Sequence, residues 1–174
     1  TDYGSGDVLR LVEAPIVQKT FLSAAAQDGW ILESSENSGT GSYTNAASPA
    51  LQVGDNAANR QARIILSFAT SALPDQAVIT SATLKFKQQS IVGTNPFSTH
   101  GLLRGDIRKG VFGQNANLAA GDFSATASKN AVLIFGNNPV NGWFTKSLSS
   151  SNLVYINKIG GTQFRLRFTL DDDN

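Results

Sequence analysis

The residue types that most often carry catalysis are thin in this chain. His100 is the single histidine, so any His-based nucleophilic triad would have to be built around it. It stands in a loop between Asn95-Pro96-Phe97 and Gly101, where a polar loop side chain is the simpler reading. Glutamate occurs at Glu13, Glu33 and Glu36 only, and no carboxylate pair stands out as the acid and base of a glycoside hydrolase. Cysteine is absent, which removes thiol nucleophiles, thiolate metal sites and disulfides together. Gly4-Ser5-Gly6 and Gly39-Thr40-Gly41 lack the flanking strand and helix that would make a Gly-x-Gly pair a phosphate cradle. No residue is assigned a catalytic role, and the chain reads as a non-enzymatic domain.

Two constellations remain that could bind something. Asp171, Asp172, Asp173 and Asn174 form the one acidic cluster, and Asp28 and Asp55 are loop carboxylates beside glycine. Calcium takes about six to eight oxygen ligands, so Asp28 with Asp171, Asp172 and Asp173 is the set a structural calcium would use. The alternative is a solvated strand end. Trp30 and Trp143 each follow a glycine at the start of a strand candidate, and with Tyr43, Tyr155 and Phe97 they supply aromatic faces of the kind that stack on sugar rings. Aromatics in such places are also common core plugs.

Stepping outward from these residues, 174 positions suit one domain with one core. Fourteen Lys and Arg against 13 Asp and Glu leave a formal net charge of +1, too weak a field to gather nucleic acid or anionic lipid. No apolar run reaches the length of a membrane span, and no signal peptide opens the sequence. Without Cys and Met the chain lacks the readily oxidised sulfur side chains, which suits an exposed setting.

The elements that must position any site are strands. Over residues 163–170, Phe164, Leu166, Phe168 and Leu170 alternate with Arg165, Arg167 and Thr169, the pattern of a half-buried antiparallel strand. Residues 78–87 repeat it with Ala82, Leu84 and Phe86 inward, and 62–68 place Ile64, Leu66 and Phe68 on one face. Further strands are expected at 8–12, 16–22, 29–33, 51–53, 102–108, 131–135 and 143–148. Short helical turns are expected at 114–120 and 149–157, and residues 34–49 read as a long surface loop. About ten short strands with no long helix predict an all-β, jelly-roll-like antiparallel sandwich.

Three stretches taken together resemble the DNRLRE-like β-sandwich domains, which are also grouped with carbohydrate-binding modules of bacterial and archaeal surface proteins. They are residues 24–36, 51–87 and 164–174, the most specific order being Val53-Gly54-Asp55, an Arg-bearing strand from Arg60 to Phe68, Leu73-Pro74, and Ile79 to Leu84. The resemblance implies an extracellular or cell-surface setting and an adhesive, sugar-binding or structural role.

In the domains it resembles, the acidic run leads through a turn into a closing strand, whereas this sequence stops at Asn174. Residues 2–18, DYGSGDVLRLVEAPIVQ, look like that continuation. The expected organisation is thus an N-terminal extension over 1–18 and a sandwich over 19–174 that lacks its closing strand. A sheet edge left open is costly until a strand is supplied. The extension, through Val8, Leu9, Leu11, Val12, Ile16 and Val17, is the candidate donor, completing the next copy and building a head-to-tail filament by donor-strand complementation. Closure within one chain, a repeat of a tandem array, and a carbohydrate-binding module with a polysaccharide partner are the competing expectations.

Overall fold

A computed structural model of the protein describes residues 15–46 and 48–171. The strand expected at 8–12 and the carboxylates Asp172 and Asp173 therefore lie outside the described residues. Nine strands are present among those described: β1 (Gly29–Glu33), β2 (Gly41–Ala46), β3 (Gly54–Asp55), β4 (Gln61–Phe68), β5 (Thr83–Lys87), β6 (Leu103–Lys109), β7 (Lys129–Phe135), β8 (Trp143–Ser147) and β9 (Thr162–Phe168). Every pairing between them is antiparallel. The protein is an all-β antiparallel sandwich.

Its two layers are unequal. One sheet has seven strands in the order β2-β1-β4-β9-β6-β7, with β3 added to β4, and the other has only β5 and β8. The main core lies between them. Ile64 and Leu66 of β4, Phe164, Leu166 and Phe168 of β9, and Leu103 and Ile107 of β6 meet Leu84 of β5 and Phe144 of β8. Aromatic rings join the layers: Phe86 packs edge-on against Phe135 at 5.0 Å, and Phe97 against Phe168 at 5.1 Å.

The other face of the large sheet is also covered, by the segment between β6 and β7. Phe112 and Phe123 from this segment are fully buried against Ile31 of β1 and Ile65 of β4, forming a second, smaller core. This corrects the reading of 163–170 as half-buried: Arg165, expected outward, is 5% exposed, while Leu170, expected inward, is 52% exposed because the strand has ended at Phe168. The period-two alternation holds, but both faces of the strand are inside.

Two other expectations change. Residues 34–49 are not one loop, since β2 occupies 41–46; Glu33 accepts from Gly39 N at 2.6 Å and Ser38 Oγ at 3.2 Å, so residues 34–40 form the turn of a β1–β2 hairpin. β2 reads GSYTNA and lies at the edge with half its surface in water, so its apolar signal is faint. The strand expected at 16–22 is absent: residues 15–22 carry no regular structure, and only Ser23 bridges to Phe68. The turn at 149–157 is present as a 3-10 turn over Ser150–Tyr155, whereas the turn near 114–120 falls at Ala120–Phe123. A one-turn helix, α1 (Pro96–Thr99), starts with Asn95 Oδ1 accepting from Phe97 N.

Gly41 shows how tightly the cover segment is seated. A Cβ there would strike the carbonyl oxygen of Ala120 and come within 2.7 Å of both Ile31 Cγ2 and Phe123 Cβ. Gly41→Val is expected to lift the cover from β1 and β2 and to lower stability by about 1–3 kcal/mol, read as an earlier urea midpoint.

Candidate functional site

The small sheet is the part of the fold with surface to offer. Asn141 and Gly142 take φ of 51° and 78°, the left-handed pair a two-residue hairpin requires. Val140 and Trp143 exchange backbone hydrogen bonds at 3.0 and 2.9 Å across them. This turn launches β8 at Trp143, whose register partner in β5 is Lys87. One face of the pair is apolar, with Phe86 and Phe144 stacked at 5.2 Å over the core. The outer face carries Thr83, Lys85 and Lys87 opposite Ser147, Thr145 and Trp143. Lys85 Nζ lies 4.5 Å from the Trp143 ring centroid and Lys87 Nζ 6.0 Å, and the ring stays 38% exposed. Beside it opens a depression of about 420 Å³ lined by Lys85, Asn138, Asn141, Trp143 and Lys146.

Trp30 is placed otherwise. It is 8% exposed, its ring 5.5 Å from that of Tyr43, and Nε1 finds no hydrogen-bond partner among the described residues. It is a core residue rather than a platform, because the hairpin partner β2 lies beside it.

Of the calcium set expected from the sequence, the two described members, Asp28 and Asp171, are not brought together. Asp28 accepts from Ser67 N at 2.8 Å, at one end of β4, whereas Asp171 lies 3.5 Å from Arg63 Nη2, four residues along the same strand. At about 3.3 Å per residue, that separation is on the order of 13 Å. Among the described residues no group of three metal-ligating side chains is found. Burial raises the Asp28 carboxyl pKa above its usual range against the hydrogen bonds from Ser23 and Ser67.

His100 is buried rather than solvated, at 2% exposure. Its Nδ1 shares a 2.6 Å hydrogen bond with Thr99 Oγ1, and Nε2 lies 3.4 Å from Asp55 Oδ2 without reaching hydrogen-bond geometry. Burial follows from its position as the C-cap of α1, where its N–H bonds Pro96 O and its ring packs 6.0 Å from Phe168. Glu33 is fully buried and receives the Gly39 and Gln61 N–H groups.

The strongest polar constellation escaped the sequence because its members are far apart in the chain. Asp106, fully buried on β6, accepts from Arg167 Nε at 2.8 Å, Arg165 Nη2 at 3.0 Å and Ala131 N at 2.9 Å. Arg165 Nη1 donates to the carbonyls of Asp122, Phe123 and Ala125, and its guanidinium lies 4.7 Å from the Phe112 ring. Arg63 repeats the arrangement, bonding Phe123 O at 2.8 Å and stacking 3.8 Å from that ring. These arginines clasp the cover segment to the sheet. Burial would raise the Asp106 pKa, but the Arg167 and Ala131 hydrogen bonds and the charges of Arg167 and Arg165 outweigh it and hold it below the usual carboxylate range. Burial first, and Arg165 second, pull the Arg63 pKa down to about 10, leaving it charged at neutral pH.

The chain matches no family model and no curated protein. No helix among the described residues is long and apolar enough to cross a membrane.

Because the folded-state pKa of Asp106 is depressed, its contribution to stability is present above the unfolded carboxylate pKa and is lost as pH falls through the folded value. Asp106→Ala leaves Arg165 and Arg167 without their buried carboxylate and is expected to cost about 3–5 kcal/mol at neutral pH. The loss should shrink in acid, where the native protein surrenders the same interaction, and chemical denaturation across that range measures it.

Proposed function

We propose that this protein is a structural subunit of an extracellular filament, polymerising head to tail by donor-strand complementation. One observation carries the reading: a seven-stranded sheet is faced by only two strands, and no described strand pairs with the outer edge of either. Exposed edges of this kind invite a further strand. The apolar run Val8-Leu9-Arg10-Leu11-Val12 has the alternation such a strand needs, and it is followed by Ile16 and Val17, which are 90% and 80% exposed. Main-chain pairing supplies affinity along the length of the strand and the alternating leucines supply fit. The arrangement is heterologous, so it propagates. The resemblance to surface-protein sandwich domains agrees with this role.

The 174-residue chain is expected to form fibres visible by electron microscopy, while deletion of residues 1–15 leaves folded monomers. Fibres that persist in the deletion variant overturn the reading.

A second reading, a carbohydrate-binding module of a surface or secreted protein, is favoured by one specific observation, the half-exposed Trp143 with Lys85, Asn138 and Asn141 around an open depression. On that reading polysaccharide in an affinity gel retards the protein, and Trp143→Ala abolishes the retardation without changing the melting temperature by more than about 1 °C, as expected for a surface change. Equal mobility of both proteins, with and without polysaccharide, removes it.

A further inference from the structure

We infer that the arginines on the covered face of the large sheet form an anion site, and that its occupant is this chain's own acidic run, with Asp172 or Asp173 pairing with Arg104. Strand register sets the guanidiniums in a row. Arg104 of β6 stands directly opposite Arg167 of β9, and residues so paired share one face of a sheet. Arg63 of β4 is one place beyond the pair Ile64↔Leu166, which sets it opposite Arg167 from the other side. The face they share is that of Asp106 and Ile65, because Leu103, Ile64 and Leu166 fill the other with the main core.

Like charges side by side on a sheet are destabilising until an anion meets them. Among the described residues the nearby carboxylates are already engaged. Asp106 serves Arg165, Arg167 and Ala131 N, and Asp171 lies 3.5 Å from Arg63 Nη2. Arg104 is left without an ion pair or hydrogen bond among the described residues, although its Nε is buried. A buried guanidinium N–H with no acceptor is costly.

The chain carries further anions to this place. Past the end of β9 at Phe168 its course is fixed by Thr169 Oγ1, which donates to Leu102 O at 2.9 Å, and by Leu170, whose N–H donates to His100 O at 3.1 Å and whose carbonyl accepts from Gln61 Nε2 at 3.2 Å. Asp171 thus arrives at Arg63, one end of the row, and Asp172 and Asp173 follow it in the sequence. At about 4.8 Å between strands, Arg104 lies roughly 10 Å from Arg63 across β9. Two further residues of extended chain span about 7 Å, and the long arginine side chain covers the remainder. The run that could ligate a cation from solution is spent on cations the protein already holds.

A double-mutant cycle in urea reads the pairing. Asp172→Asn with Asp173→Asn is expected to raise the unfolding equilibrium constant about fivefold, and to change it less than about twofold when Arg104→Gln is already present. Salt should shrink the first effect, since the pair reaches the surface. In the NMR spectrum of the folded protein the Arg104 Nε–H resonance should move when the two aspartates are replaced. All these variants keep the Asp106 clasp and are expected to fold. Equal losses with and without Arg104→Gln overturn the inference. So does a stability that EDTA lowers in the unaltered chain but not in the Asp172→Asn, Asp173→Asn chain, which assigns the run to a metal ion. A coupling that grows with protein concentration overturns it as well, by assigning the run to a second copy.

Discussion

Asp106 is the residue on which the two-sided burial of the large sheet depends. A carboxylate with no solvent access is tolerated only where its charge is met, and here two guanidiniums and a backbone N–H meet it. The guanidiniums gain their own partners in turn. Arg165 reaches three carbonyls of the cover segment, so the segment's unpaired acceptors and the sheet's buried cations satisfy one another. Phe112 then closes over the Arg165 guanidinium, and Phe123 over that of the neighbouring Arg63, as apolar lids with cation–π geometry. Without the carboxylate, this face of the sheet would hold a buried positive charge at Arg165 beside a half-buried one at Arg167.

The clasp accounts for the asymmetry of the sandwich. Because the outer face of the large sheet is closed by a loop segment, its strands carry side chains for two interiors, and seven of them can be ordered in one sheet. The inner face needs a comparable cover, and among the described residues regular structure provides a pair of strands. Irregular segments complete that cover, bringing Leu51, Val53, Ile79, Phe97, Tyr155 and Ile156 onto the inner core beside the β5–β8 pair.

Much of this was legible in the residues themselves. Phe164, Leu166 and Phe168 announced β9, and Ile64 and Leu66 announced β4, because two-residue alternation of large apolar groups has few other meanings. Trp143 opens β8 where a strand is expected at 143–148. What could not be read was the environment of the alternate residues: Arg165 and Arg167 look solvated in any local window, and their carboxylate stands on β6 about sixty positions earlier, at Asp106. β2 was hidden for the opposite reason, since an edge strand of Gly, Ser, Tyr, Thr and Asn carries the composition of a loop. His100 stands in a loop as the sequence suggests, but its burial was not legible because the ring packs on Phe168, a residue far away in the chain.

The buried charges also give the fold a particular response to heat. Removing an ion from water becomes less unfavourable as temperature rises, because ionic hydration is entropically costly, while apolar burial levels off. The Asp106–Arg165–Arg167 cluster therefore grows in relative weight on warming. The face of the sheet closed by charge tightens, in free-energy terms, under the conditions in which a face closed by hydrocarbon alone has no more to gain.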